Sequence, residues 1–194
     1  MSPIQILTAG RKALVAALLG MATLGLAARA AAATPPAVGE EAKDFQLSAL
    51  GGGPVKLSKL TADGPVVLVV LRGYPGYQCP ICTKQFGELL GKAEALKTAG
   101  AKVVFVYPGP AEKLKERAGE FVKGKDYPAH FQILLDPDYA FTTAYGLRWE
   151  AKNETAYPST FVIDGKGRVT YLKVSKTHGD RAKVADVLAA VGAK

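Results

Sequence analysis

Cys79 and Cys82, with Pro80 and Ile81 between them, are the only cysteines in 194 residues. Two thiols three positions apart can close a small disulfide ring or stand open as a dithiol. They can also pass between those states by thiolate attack on a sulfur. A disulfide across two intervening residues removes little chain entropy from the unfolded state. Redox use therefore explains the pair better than a structural staple does. Haem attachment would need a histidine directly after Cys82, where Thr83 stands. A structural zinc site would need two further ligands at short spacing. His130 and His178 are the only histidines, and each is isolated. Two soft thiolates also suit Cu(I), so a copper-binding or redox-sensing module is the non-enzymatic alternative.

The elements around the pair give it chemistry. Val66 to Arg72 is a continuous β-branched run, the pattern of a central strand buried on both faces. Gly73 to Gln78 is a loop, and the apolar spacing from Pro80 to Thr98 predicts one helix. Cys79 then falls at the helix N-cap and Pro80 at the first helical position, where proline's missing N–H does no harm. Unpaired N–H groups and the positive helix end stabilise a thiolate there, and the thiolate is the nucleophile. Three-residue spacing puts Cys82 on the same side, one turn deeper. The expectation is an exposed attacking thiol at Cys79 and a shielded resolving thiol at Cys82.

Further along, Lys102 to Tyr107 reads as a second buried strand and Ala111 to Val122 as a charged amphipathic helix. Gln132 to Leu135 reads as a short strand, followed by a turn at Asp136-Pro137-Asp138 and a short helix through Tyr145. Asp164-Gly165-Lys166-Gly167 between Thr160–Ile163 and Val169–Val174 is a hairpin signal. Asp180 to Val191 closes the chain as a helix. Ahead of the main strand, Gly51-Gly52-Gly53 separates Asp44–Ser48 from Pro54–Leu57, a second hairpin. The predicted fold class is α/β: a thioredoxin-like central mixed sheet flanked by helices, with an extra N-terminal β-hairpin.

The N-terminus has the composition of an export signal. Arg11 and Lys12 precede an apolar stretch from Ala13 to Ala28, and Ala28-Arg29-Ala30 and Ala31-Ala32-Ala33 both fit an A-x-A cleavage site. The stretch is shorter than the about 18 apolar residues of a spanning helix and is rich in alanine. Residues 1–33 are expected to be removed, leaving residues 34–194 as one redox domain without a stable membrane anchor. With no Arg-Arg pair, the general secretory route and a bacterial periplasmic or secreted location are expected. Losing Arg11, Lys12 and Arg29 from 25 basic residues leaves 22 against 17 acidic ones. These charges alternate in sign along helix faces, which excludes a dedicated nucleic-acid site but leaves room for acidic partners.

Several short motifs resemble the AhpC/TSA peroxiredoxin-like (redoxin) family of the thioredoxin-like superfamily. They are Val38-Gly39-Glu40 with Asp44-Phe45-x-Leu47, Arg72-Gly73-Tyr74-Pro75, Leu135-Asp136-Pro137-Asp138 with Ala144-Tyr145-Gly146, and Ser159-Thr160-Phe161-Val162-Ile163-Asp164-Gly165. The resemblance implies a thiol-based oxidoreductase with no cofactor beyond a redox-active Cys79–Cys82 disulfide. It implies a protein dithiol or disulfide, or a small peroxide, as partner. In the peroxiredoxin pattern Pro-x-x-x-Thr/Ser-x-x-Cys, Pro75 and Cys82 fit, and Cys79 replaces the hydroxyl residue. Cys82 would then be peroxidatic and Cys79 resolving. The family arginine ahead of the last motif is replaced by Pro158. Tyr157-Pro158-Ser159-Thr160 instead resembles the cis-proline loop of thioredoxins, which lies against the CxxC and helps bind substrate chain. Arg72, at the strand end, is the candidate for the missing arginine. Tyr74 and Tyr77 would shape an apolar surface beside the site. These departures favour disulfide exchange over peroxide reduction.

Overall fold

The computed structural model describes residues 33–193, so the predicted export signal lies outside the described residues apart from Ala33. Thirteen elements follow in chain order: β1 Gln46–Ala49, β2 Pro54–Lys56, α1 Leu57–Ala62, β3 Val66–Val70, α2 Pro80–Leu90, α3 Ala93–Thr98, β4 Lys102–Gly109, α4 Leu114–Val122, β5 Phe131–Pro137, α5 Ala140–Ala144, β6 Ser159–Ile163, β7 Val169–Val174 and α6 Val184–Ala190. The strands form a single sheet of seven in the order β2-β1-β5-β4-β3-β6-β7.

The three inner strands β3, β4 and β5 run parallel, which requires helical crossovers. The two hairpins add antiparallel strands at the flanks: β6 and β7 beside β3, and β1 and β2 beside β5. The sheet is therefore mixed, and its helices pack on it in the thioredoxin-like manner predicted. Period-two alternation along β3 divides the core. Val67 and Val69, with Leu71 just beyond, face a cluster containing both cysteines, Phe86, Phe105 and Phe121. Val66, Leu68 and Val70 face a second cluster with Phe141, Tyr145 and Phe161.

Phe86 fixes α2 to the sheet. Its ring lies 4.8 Å from Phe105, 5.7 Å from Phe121 and 5.8 Å from Tyr127, so the cysteine-bearing helix start is held by a buried aromatic cluster. The loop joining β3 to this helix depends on Gly73. Its φ is +74°, and an added Cβ would collide with the Pro108 carbonyl oxygen, so only glycine fits.

Several local expectations are corrected, among them the closing helix, which begins at Val184 rather than Asp180. The single helix predicted from Pro80 to Thr98 is two, because the chain turns at Gly91 and Lys92 before α3 begins. Glycine is a poor helix former, by about 1 kcal/mol against alanine, and here it caps α2. The helix predicted from Ala111 starts only at Leu114, after Lys113 takes a left-handed φ of +59°. The segment Leu57–Ala62 forms α1 directly after β2, which the strand reading of Pro54–Leu57 had not anticipated.

Candidate active site

β3 delivers the chain to the site and α2 receives it. Cys79 has extended dihedrals at the N-cap of α2, with Pro80 opening the helix. The backbone N–H of Cys82 donates to Cys79 Sγ at 3.4 Å, so a sulfur does the work usually left to a capping oxygen. The N–H of Arg72 donates to Cys82 Sγ, also at 3.4 Å. One sulfur thus sits on the open helix end and the other under the end of the central strand. Both cysteines carry free thiols.

The predicted contrast in exposure is not found. Cys79 is 3% exposed and Cys82 1%, both within the buried core cluster, and the Arg181 guanidinium lies against the two sulfurs. The contrast lies in electrostatics instead. The Cys82 thiol donates to Cys79, and burial opposes the Cys79 charge. The Cys82 and Ile81 backbone N–H groups and the Arg181 guanidinium add to the stabilisation. Together they hold the Cys79 thiol down, to about 5. Cys82 moves the other way: its hydrogen bond to Cys79 and its deep burial push it well above the usual thiol range. The pair titrates as a unit in which the first proton leaves Cys79.

Arg181 is the residue that sequence reasoning missed. It lies in the segment between β7 and α6, and its Nη2 is 3.5 Å from Cys82 Sγ and 4.0 Å from Cys79 Sγ. Two hydrogen bonds aim it, and a third fixes one of its partners. Nε donates to the His178 carbonyl at 2.8 Å, Nη1 donates to Gln85 Oε1 at 3.1 Å, and Gln85 Nε2 donates to Thr160 Oγ1 at 3.1 Å. The arginine sought ahead of β6 thus has a counterpart ahead of α6. No local pattern marks it, because the contact spans 99 residues of sequence.

Arg72 does not fill that role. Its guanidinium is turned away into an ion pair with Glu154, at 2.8 Å from Nε and 3.0 Å from Nη2. It also donates to the Tyr77 hydroxyl and, at 2.8 Å, to the Asn153 carbonyl. His178 Nε2 lies 2.9 Å from the same carboxylate. Burial opposes charge on both groups, but these hydrogen bonds prevail: Glu154 stays below the usual carboxylate range and Arg72 is raised. Arg72 thus serves the site through its backbone N–H, while its side chain ties the cysteine loop to residues 153–154.

Tyr157 and Pro158 differ from expectation. All peptide bonds among the described residues are trans, so Pro158 is not a cis-proline. The chain here is already extended by pairing. Tyr157 N donates to Leu147 O at 2.8 Å and Ser175 N to Pro158 O at 2.8 Å. Trans is also the intrinsically favoured state, by about 0.5–1 kcal/mol. Pro158 precedes β6, and continuing the β3–β6 register beyond Val70 and Ser159 brings it beside Leu71, at the cysteine end of the sheet. Tyr157 stacks on Trp149 at 4.7 Å rather than opening a surface. Pro75 is half-buried in the cysteine loop. Tyr77 is 47% exposed and offers an aromatic face beside the site. Tyr74 packs under the Arg117 guanidinium at 4.6 Å. Gln78, directly before Cys79, accepts from Tyr107 Oη at 2.9 Å and donates to Arg117 O at 2.8 Å, which pins the approach to the first sulfur.

His130 bonds the Ala93 carbonyl at 3.1 Å, a structural role at the start of α3. Among the described residues no group of three histidine, cysteine or acidic side chains is placed to hold a metal ion.

Comparison with known proteins meets this geometry from both sides. A Mycobacterium tuberculosis protein named "putative peroxiredoxin" is 30% identical over 152 residues, covering 75% of this chain and 90% of its own length. The crystal structure of the peroxidoxin BcpB from the same species superposes with a TM-score of 0.64 at 24% identity, covering 81% of this chain and 97% of that one. A structure titled "putative Thiol:disulfide interchange protein DsbE", from Chlorobium tepidum, gives a TM-score of 0.60 at 26% identity, covering 81% of this chain and 99% of that one. The family model described as Redoxin matches residues 37–190, which takes in every strand, both cysteines and Arg181, and the chain accordingly belongs to the redoxin family.

Proposed function

We propose that this redoxin is an exported thiol–disulfide oxidoreductase, periplasmic or secreted, that works through Cys79 and Cys82. The observation that carries the reading is the division between the two sulfurs: Cys79 is stabilised as thiolate at the helix start, and Cys82 is kept protonated beneath it. The Cys79 thiolate attacks one sulfur of a partner disulfide. A Cys79–partner bond forms, the partner S–S bond breaks, and the first partner thiolate leaves and takes up a proton. Cys82 then loses its proton and attacks Cys79 Sγ. The mixed disulfide breaks, the second partner thiol leaves, and two electrons have passed to the partner. The reverse sequence oxidises a partner dithiol. Lowering the Cys79 pKa stabilises the reduced pair and so makes the couple more oxidising. The export signal supports a compartment in which disulfides persist.

The test is trapping. Cys82→Ser should accumulate mixed disulfides through Cys79, and Cys79→Ser should form none; mixed disulfides through Cys82 instead would sink this assignment.

A second reading has its own observation. Cys82 Sγ receives both the Arg72 N–H and the Arg181 guanidinium, a donor pair that would also polarise a peroxide. Cys82 thiolate would attack a peroxide, forming an S–O bond as the O–O bond breaks and an alcohol or water leaves. Cys79 would then displace water from the sulfenic acid to close the disulfide. Mass spectrometry of Cys79→Ser after peroxide separates the two, since only the peroxidase leaves an oxidised Cys82 at catalytic rates. The copper alternative predicts stoichiometric Cu(I) binding by the reduced protein, and its absence with both thiols intact would remove it.

A further inference from the structure

A groove runs away from the cysteines along α2, and Arg181 belongs to both. It has a volume of about 460 Å3 and is lined by Lys84, Glu88, Lys92, Arg181 and Lys183 among others. That size is within the roughly 300–1,000 Å3 of ligand clefts. Four of these five side chains are cationic. The one acid, Glu88, is matched by Lys84 at 3.6 Å, and Asp180, next to Arg181, is bound by Lys173 at 2.6 Å. Lys92, Lys183 and Arg181 therefore leave the groove with net positive charge. Among the described residues no carboxylate lies within ion-pair reach of Arg181, whose guanidinium touches the sulfurs instead.

The groove is aligned with the chemistry. α2 rises about 1.5 Å per residue, so Lys84 stands about 8 Å along its axis from Cys79. An extended chain covers about 3.3 Å per residue, so a carboxylate two or three residues from the attacked cysteine would come level with Lys84. The 17 acidic residues of this chain are outnumbered overall, which adds a long-range attraction of the same sign.

We propose that this groove selects protein disulfides flanked by acidic residues, docking an Asp/Glu-bearing segment of the partner while Cys79 attacks its sulfur. The proposal rests on the disulfide-exchange reading and names its substrate class. The step is the one balanced above: the reduced pair is oxidised, and the partner disulfide gains two electrons and two protons.

The experiment uses the pre-reduced protein, with no added reductant, in single turnover. Three peptides carry the same internal disulfide, flanked by Asp and Glu, by Ser and Gly, or by Lys. The acidic peptide should be reduced about tenfold faster than the neutral one at low salt, and the basic one slower than both. The advantage should vanish in 0.5 M salt, about a 4 Å screening length. Lys84→Glu/Lys92→Glu/Lys183→Glu should bring the acidic-to-neutral ratio to one or below. Equal rates for the three peptides would overturn the groove assignment while leaving disulfide exchange intact. An acidic preference that survives the triple substitution would place recognition elsewhere and overturn it as well. If none of the three peptides is reduced, the exchange reading fails, and this inference fails with it.

Discussion

Arg72 and Arg181 both reach the cysteine pair, and their partners set them apart. The Arg72 guanidinium is 3% exposed and bound to Glu154, so its charge is cancelled before it can act on a sulfur. Only its backbone N–H meets Cys82. Arg181 is held by neutral acceptors, the His178 carbonyl and Gln85 Oε1, so its charge remains for the thiolate. An arginine beside a thiol is therefore not evidence of activation by itself. What counts is whether another anion has already claimed it. The Arg72 pair fastens the cysteine loop to residues 153–154, and Arg181 tunes the cysteines.

Four substitutions and conditions press on that contrast. The largest effect belongs to the sulfur that Arg181 serves: Cys79→Ser should reduce disulfide exchange to background, measured by peptide reduction. Next, Arg72→Ala should cost about 1–3 kcal/mol of stability, because the Asn153 carbonyl and the half-buried Glu154 carboxylate lose their Arg72 donors. Chemical denaturation reads this, and Arg72→Ala/Glu154→Gln should recover part of the loss. If Arg72→Ala is as stable as the wild type, the fastening role is wrong.

Arg181→Gln should act differently. Loss of a cation near the sulfurs should raise the Cys79 pKa by about 1, read as thiolate absorbance against pH, with stability changed far less than by Arg72→Ala. Arg181→Lys should fall between, since it keeps the charge without the forked donor geometry. The last effect is in stability against pH. The folded Cys79 pKa is below its unfolded value, so its contribution is fully present above the unfolded pKa and is lost as pH falls toward about 5. The stability difference between wild type and Cys79→Ser should therefore grow from about pH 5 to about pH 8.5, the unperturbed thiol value. A difference that is flat across this window would contradict a depressed Cys79.

What the sequence disclosed follows from range. β3 and β4 were legible because β-branched runs announce a strand buried on both faces. The hairpin at Asp164–Gly167 was legible because Asp164 and Gly167 carry the turn chemistry themselves, with Asp164 Oδ1 accepting from Lys166 N and Arg168 N. Cys79 at a helix start was legible from Pro80 alone. The break at Gly91 passed unread because the apolar spacing continues through it. Tyr157–Pro158 looked like a cis-proline loop, but pairing with Leu147 and Ser175 holds it extended and trans. Arg181 could not be read locally, since its aim depends on Gln85, Thr160 and the His178 carbonyl brought together by the fold. The burial of Cys79 has the same origin, in packing from segments distant in sequence.

The most direct test of the central claim, that Cys79 is the thiolate and Cys82 its protonated partner, is alkylation of the reduced wild-type protein by iodoacetamide across pH 3 to 10, located by peptide mass spectrometry. The account predicts labelling at Cys79 with a midpoint near 5 and slow labelling of Cys82 throughout. Labelling of Cys82 first, or a Cys79 midpoint near the unperturbed value of about 8.5, would contradict it.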